Sequence, residues 1–107
     1  MLLAGLPTNA LANAKTKAAE EAGAVLYRDK DCAHCHGADL SGTKKAPALP
    51  VTLRKNKVWT PQAMTAQILD GGKKMPPFRD SLTDEEAAQL VAYLRAKHRP
   101  IAPPKPQ

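Results

Sequence analysis

From Cys32 to His36 the chain reads Cys-Ala-His-Cys-His, two thiols two residues apart with an imidazole directly after the second. Three chemistries use such a pair: a zinc knuckle, a dithiol redox switch and covalent attachment of haem. Structural zinc needs four ligands, and beyond the two thiols the chain offers only His34, His36 and His98, without a second ligand pair. A thioredoxin-like dithiol belongs beside a βαβ pattern, and no stretch here reads as a strand. A disulfide across two residues closes a very small loop, gains little entropy and leaves His36 unexplained. Haem attachment uses all three residues: each thiol adds to one vinyl group, and the following imidazole faces the iron. One helical turn presents the three groups together. The string alone does not decide between these readings; a second iron ligand does.

The rest of the composition says what such a site must be built into. At 107 residues the chain is one domain. Its hydrophobic share is 43%, but only 4% is aromatic (Tyr27, Trp59, Phe78 and Tyr93), and much of the apolar content is alanine. Most of the ten prolines fall between residues 47 and 77 or between 100 and 106, where they exclude regular structure. So thin a core calls for something else to fill the middle. The net charge of +6 is concentrated: Thr43 to Arg79 holds Lys44, Lys45, Arg54, Lys55, Lys57, Lys73, Lys74 and Arg79 against a single acid, Asp70. Without interleaved stacking aromatics this stretch does not read as a nucleic-acid surface. It suits a solvated face or an acidic protein partner.

Three helices are expected. "TKAAEEAGAVLYRDK", Thr16 to Lys30, places Ala18, Ala22, Val25 and Leu26 on one face, with Tyr27 alongside. Gly23 within it weakens the helix by about 1 kcal/mol relative to alanine, which fits a close helix crossing. Residues 37–60 read as loop. Thr60-Pro61 then caps and opens a second helix that stops at Gly71-Gly72, with Met64 and Ile68 as its core side. "KKMPPFRD" is held extended by its prolines. The last helix has Thr83 as N-cap with Glu86 closing a capping box, Ala87, Leu90, Val91 and Leu94 as apolar stripe, and Arg95, Lys97 and His98 in its last turn. Residues 1–15 include Ala10-Leu11-Ala12, which resembles the end of an export signal but lacks a basic leader. They read as a truncated signal or a frayed extension. The domain is 16–99, and 100–107 is an extended, mobile proline-rich tail. No segment has the about 20 apolar residues of a membrane span.

Met75 is the candidate second ligand. It lies about 40 residues beyond His36 on a prolyl arm flanked by lysines, an unusual place for an ordinary core methionine. At this point the sequence resembles the small, soluble, single-haem class I c-type cytochromes of bacteria. The resemblance runs from about Ala18 to Lys97 through "GAVLYRDKDCAHCHG", "APAL", "GGKKMPPF" and "LTDEEAAQLVAYLR". It implies an all-α fold in which the first and last helices cross, Gly23 and Tyr27 against Leu90 and Tyr93, with irregular loops around one covalent haem c. It also implies that the Pro47 carbonyl holds the imidazole of His36.

The function expected is a single-electron carrier and not an enzyme, with Cys32 and Cys35 attached to haem and His36 and Met75 on the iron. Trp59 and Arg54 are candidates for the haem pocket, and Lys44, Lys45, Lys73 and Lys74 for docking, with Lys55 and Lys57 nearby. The partners expected are acidic: a dehydrogenase or quinol-oxidising complex as donor, an oxidase or reductase as acceptor. The carrier is expected to be monomeric, exported to the periplasm and without nucleic acid. Two alternatives are a fixed c-type subunit of a larger respiratory enzyme and a haem sensor whose Met75 detaches. His34 and His98 read as surface residues.

Overall fold

A computed structural model of the chain describes residues 8–104, with side chains from residue 16. The helices are α1 (Thr8–Asp29), α2 (Cys32–His36), α3 (Pro61–Asp70) and α4 (Asp84–Leu94), with a 3-10 turn at Val51–Lys55 inside the expected loop. No strand occurs among the described residues, and none of their helices is long and apolar enough to cross a membrane. Residues 1–7 of the signal-like extension (1–15) and the last three residues lie outside the described residues.

The frame is the crossing of α1 and α4. Gly23 is buried where the helices meet, and a Cβ there would stand 2.6 Å from Tyr93 Cβ and collide with the Gln89 carbonyl. Only glycine lets the backbones come so close. One turn further, Tyr27 meets Tyr93 with ring centroids 5.6 Å apart. The buried face of α1 is only partly the expected one: Tyr27 enters the core and Leu26 packs against it, but Ala24 joins them, Ala18 is exposed, and Ala22 and Val25 border a cleft against Pro100, Ile101 and Pro103. The glycine sets the rotation of the helix, because the closest approach must occur at its one missing side chain. The helix also starts at Thr8 rather than Thr16.

Helix α3 begins as the sequence indicates, Thr60 Oγ1 accepting from Ala63 N at 3.2 Å with Pro61 in the first position. It buries Met64, Ile68 and Leu69. Helix α4 has the full capping box: Thr83 Oγ1 accepts from Glu86 N at 3.0 Å, and Glu86 accepts from Thr83 N at 2.9 Å. It ends at Leu94, so Arg95, Lys97 and His98 lie beyond it and not in its last turn. Arg95 caps the helix and sends its guanidinium outward to the carbonyls of Leu53 (2.8 Å), Arg54 (2.8 Å) and Trp59 (2.6 Å).

The tail is extended through residue 104 but tethered where a mobile end was expected. Arg28 donates to the Pro103 carbonyl, Arg99 donates to the carbonyls of Leu94 (2.7 Å) and Pro50 (3.2 Å), and Ala102 packs on the core.

Replacing Gly23 by alanine is expected to destabilise the protein by about 1–3 kcal/mol through overpacking, against alanine's better helix propensity. Urea unfolding of the two proteins measures it, and an unchanged midpoint would contradict the crossing geometry.

Candidate functional site

A helix of five residues has almost no hydrogen bonds of its own, and the carbonyls at its end need outside donors. In α2 three of them have one. Ala33 O accepts from Gly37 N (2.9 Å), Cys35 O from Thr43 Oγ1 (2.5 Å), and His36 O from Gly42 N (2.8 Å). Gly37 O accepts from the Tyr27 hydroxyl at 2.6 Å. Burial holds that phenol well above its ordinary pKa, so it stays a donor. The Cys-His turn is therefore fastened from the α1 side by Tyr27 and from the following loop by Gly42 and Thr43.

The same loop brings Pro47 to the imidazole. His36 Nδ1 lies 2.9 Å from Pro47 O. A carbonyl can only accept, so Nδ1 carries a proton, and in the neutral ring Nε2 then presents its lone pair. Gly42 makes the approach possible: its φ is +87°, and a Cβ would stand 2.6 Å from Ala48 N and 2.9 Å from the Pro47 carbonyl carbon.

Cys32 and Cys35 are both free thiols and both half-buried. Burial, aided by the charge of Asp31, pushes the Cys32 thiol up to about 11. A neutral thiol is a poor attacking nucleophile. Among the described residues no three His, Cys, Asp or Glu side chains cluster in a way that would hold a metal ion. The zinc and dithiol readings therefore find no support in the geometry.

Met75 sits on an arm pinned to the end of α3. Gly72 N donates to Met75 O (2.9 Å), and Phe78 N and Arg79 N donate to Ile68 O and Leu69 O (both 3.1 Å). Arg79 and Asp70 pair at 2.7 Å across the base, which engages the one acid of the basic stretch. Gly71 opens the arm with φ +71°, and a Cβ there would stand 2.6 Å from Met75 O. Met75 is half-buried and packs on the same apolar cluster as Cys32 and Ala33, together with Leu49, Leu53 and Phe78.

The remaining candidates are placed as follows. Trp59 is 41% exposed, and Arg54 is half-buried. The backbone carbonyls of both are gripped by Arg95, so these two candidates share one anchored loop. Lys44, Lys45, Lys73, Lys74, Lys55 and Lys57 are exposed, as are His34 and His98. Lys45 Nζ lies 2.9 Å from His34 Nε2. Sequence reasoning missed Arg95 and Thr43. Arg95 gave a misleading signal, a cation at a helix end, and Thr43 gave none.

The donor set suits a covalently attached haem. It offers two unpaired thiols on one turn, an imidazole with Nε2 presented, and a thioether on a braced arm beside the same apolar cluster. Comparison with known proteins agrees. Residues 18–94 match the family described as cytochrome c oxidase, cbb3-type, subunit III, and the chain belongs to that family of c-type cytochrome domains. It is similar to the solved structure of a c-type cytochrome NirC, 31% identical over 68% of this chain and 84% of that one, with a TM-score of 0.58. It is also similar to the KustC0563 c-type cytochrome, 29% identical over 68% of this chain and 93% of that one, again at 0.58. No curated protein matches. The chain is a small class I c-type cytochrome domain, and the function of its class is haem-based electron transfer.

Gly42→Ala is expected to destabilise the loop by about 1–2 kcal/mol from the left-handed backbone alone. It should also loosen Pro47 from His36. Chemical denaturation gives the first quantity and hydrogen exchange of the imidazole Nδ1–H the second; faster exchange is the expected result.

Proposed function

We propose that this chain is a single-electron carrier with one haem joined through Cys32 and Cys35, its iron held by His36 and Met75. The observation that carries this reading is the His36–Pro47 hydrogen bond, which fixes the tautomer that leaves Nε2 free. Such an outer bond also orients the ring and raises its basicity. When bound, the haem would supply a one-electron couple, and ligation by the Met75 thioether would raise its potential. With His36 and Met75 both holding the iron, the chain would leave it no site for a substrate. The pinned Met75 arm and the fastened Cys-His turn keep the donors in place between oxidation states. Trp59 and Arg54 line the pocket on the loop that Arg95 holds.

Lys44, Lys45, Lys73 and Lys74 steer acidic redox proteins, a dehydrogenase or quinol-oxidising complex upstream and an oxidase or reductase downstream. Charge of this kind speeds encounter more than it tightens binding. The carrier works as an exported, periplasmic monomer, where haem is attached to such motifs. A second reading is favoured by the match to an oxidase subunit III: the domain serves as a fixed subunit of a larger respiratory complex. Gel filtration of native extract separates the two, since a carrier elutes alone.

The test is a visible spectrum of exported holoprotein, oxidised and reduced. Pigment that resists acid-acetone extraction and a weak far-red band from sulfur on ferric iron are expected. Met75→Ala should abolish that band and shift the couple toward the oxidised form at least tenfold, about 59 mV for one electron. A high-spin spectrum in the unmodified protein would instead favour the sensor with a labile methionine. Electron transfer to an acidic partner should slow about tenfold or more as salt rises; a flat profile would remove the docking role of the lysines.

A further inference from the structure

Arg99, just beyond the end of α4, is a half-buried cation that the electron-transfer reading leaves without a task. No carboxylate among the described residues pairs with it. Its Nη2 donates to the carbonyls of Leu94 (2.7 Å) and Pro50 (3.2 Å). Its Nε is buried with no hydrogen-bond partner. A guanidinium taken out of water with a donor unpaired is costly, and a neutral amide could tie the same two carbonyls. What an amide would lack is the charge.

That charge stands behind the functional turn. Arg99 Cζ lies 6.0 Å from the centre of the Tyr93 ring, within reach of a cation–aromatic attraction. Tyr93 meets Tyr27 at 5.6 Å, and Tyr27 donates to the carbonyl of Gly37, the residue after His36. Both tyrosines are buried, so protein and not water fills the path from the guanidinium to the Cys-His turn. Burial raises both phenols above their ordinary pKa, and neither ionises to cancel the cation. The acids nearest the turn, Asp31 and Asp39, are exposed, where solvent screens them.

Ferric haem carries one positive charge more than ferrous haem, so a fixed cation nearby disfavours the oxidised form, and more strongly across protein than across water. We propose that Arg99 raises the reduction potential of the bound haem electrostatically, its uncompensated charge acting through the Tyr93–Tyr27 stack on the Cys-His turn. This rests on the reading that Cys32, Cys35 and His36 carry the haem; it does not depend on which residue takes the other axial position.

The experiment measures the potential of exported holoprotein and of its Arg99→Met, Arg99→Gln and Arg99→Lys variants by spectroelectrochemistry, at low and high salt. Arg99→Met removes the charge and the ties to the carbonyls. Arg99→Gln removes the charge but keeps a donor for them, and it carries the test should Arg99→Met fail to fold. Arg99→Lys keeps the charge and loses the planar fork. The Met and Gln variants should each move the couple toward Fe(III) by about three- to tenfold, roughly 30–59 mV for one electron. That shift should persist at high salt, because a half-buried charge is weakly screened. Arg99→Lys should stay close to the unmodified protein. A purely structural tie would give the opposite order, with Gln unchanged and Lys shifted. An unchanged potential in Arg99→Gln, or a Lys variant shifted as far as Gln, overturns the role of Arg99 and leaves the haem reading standing. Pigment that acid-acetone removes from the unmodified protein overturns both.

Discussion

The crossing of α1 and α4, with Gly23 set against the backbone of Gln89 and the Cβ of Tyr93, determines where the functional turn can sit. Once the helices meet there, Tyr27 is carried one turn along, against the Tyr93 ring, with its hydroxyl at the Gly37 carbonyl. Helix α2 is too short to persist alone, since a helix of one turn bears the whole cost of nucleation. It exists because Tyr27 holds one end and the 42–47 loop holds the rest. A substitution at the crossing therefore acts on the Cys-His turn through a chain of named contacts, although no atom of Gly23 reaches the site.

Much of this was legible in the sequence, and for local reasons. The capping box at Thr83 and Glu86 and the Thr60-Pro61 start of α3 are short-range chemistry, and they appear where the residues indicate. The Cys-x-x-Cys-His string and the Gly-Gly before Met75 are likewise local. What could not be read depends on residues far apart in the chain. The end of α4 is set by carbonyls about 40 positions away that draw Arg95 off the helix, and the rotation of α1 is set by where Gly23 meets α4. The His36–Pro47 bond was expected from resemblance alone. Its support in Gly42 becomes visible only when the two loop strands lie side by side.

Left-handed backbone gathers around α2. Asp31, Gly37, Leu40 and Gly42 have φ of 62°, 91°, 63° and 87°, and two of these are not glycine. A buried leucine in that conformation is uncommon and is tolerated because neighbours fix it: Leu40 N donates to Gly37 O, and Leu40 O accepts from Leu49 N at 2.8 Å. Backbone of this kind tends to be kept where geometry serves function. Here it folds the loop back so that its donors and the Pro47 carbonyl all converge on one helical turn.

The arm bearing Met75 is held by main-chain hydrogen bonds to α3 and by the Arg79–Asp70 pair, none of which uses the side chains of Lys73 or Lys74. Those two ammonium groups are therefore decoupled from the scaffold beneath them. Their charge can be rewritten, by evolution or by an engineer, without disturbing the bonds that seat the neighbouring thioether.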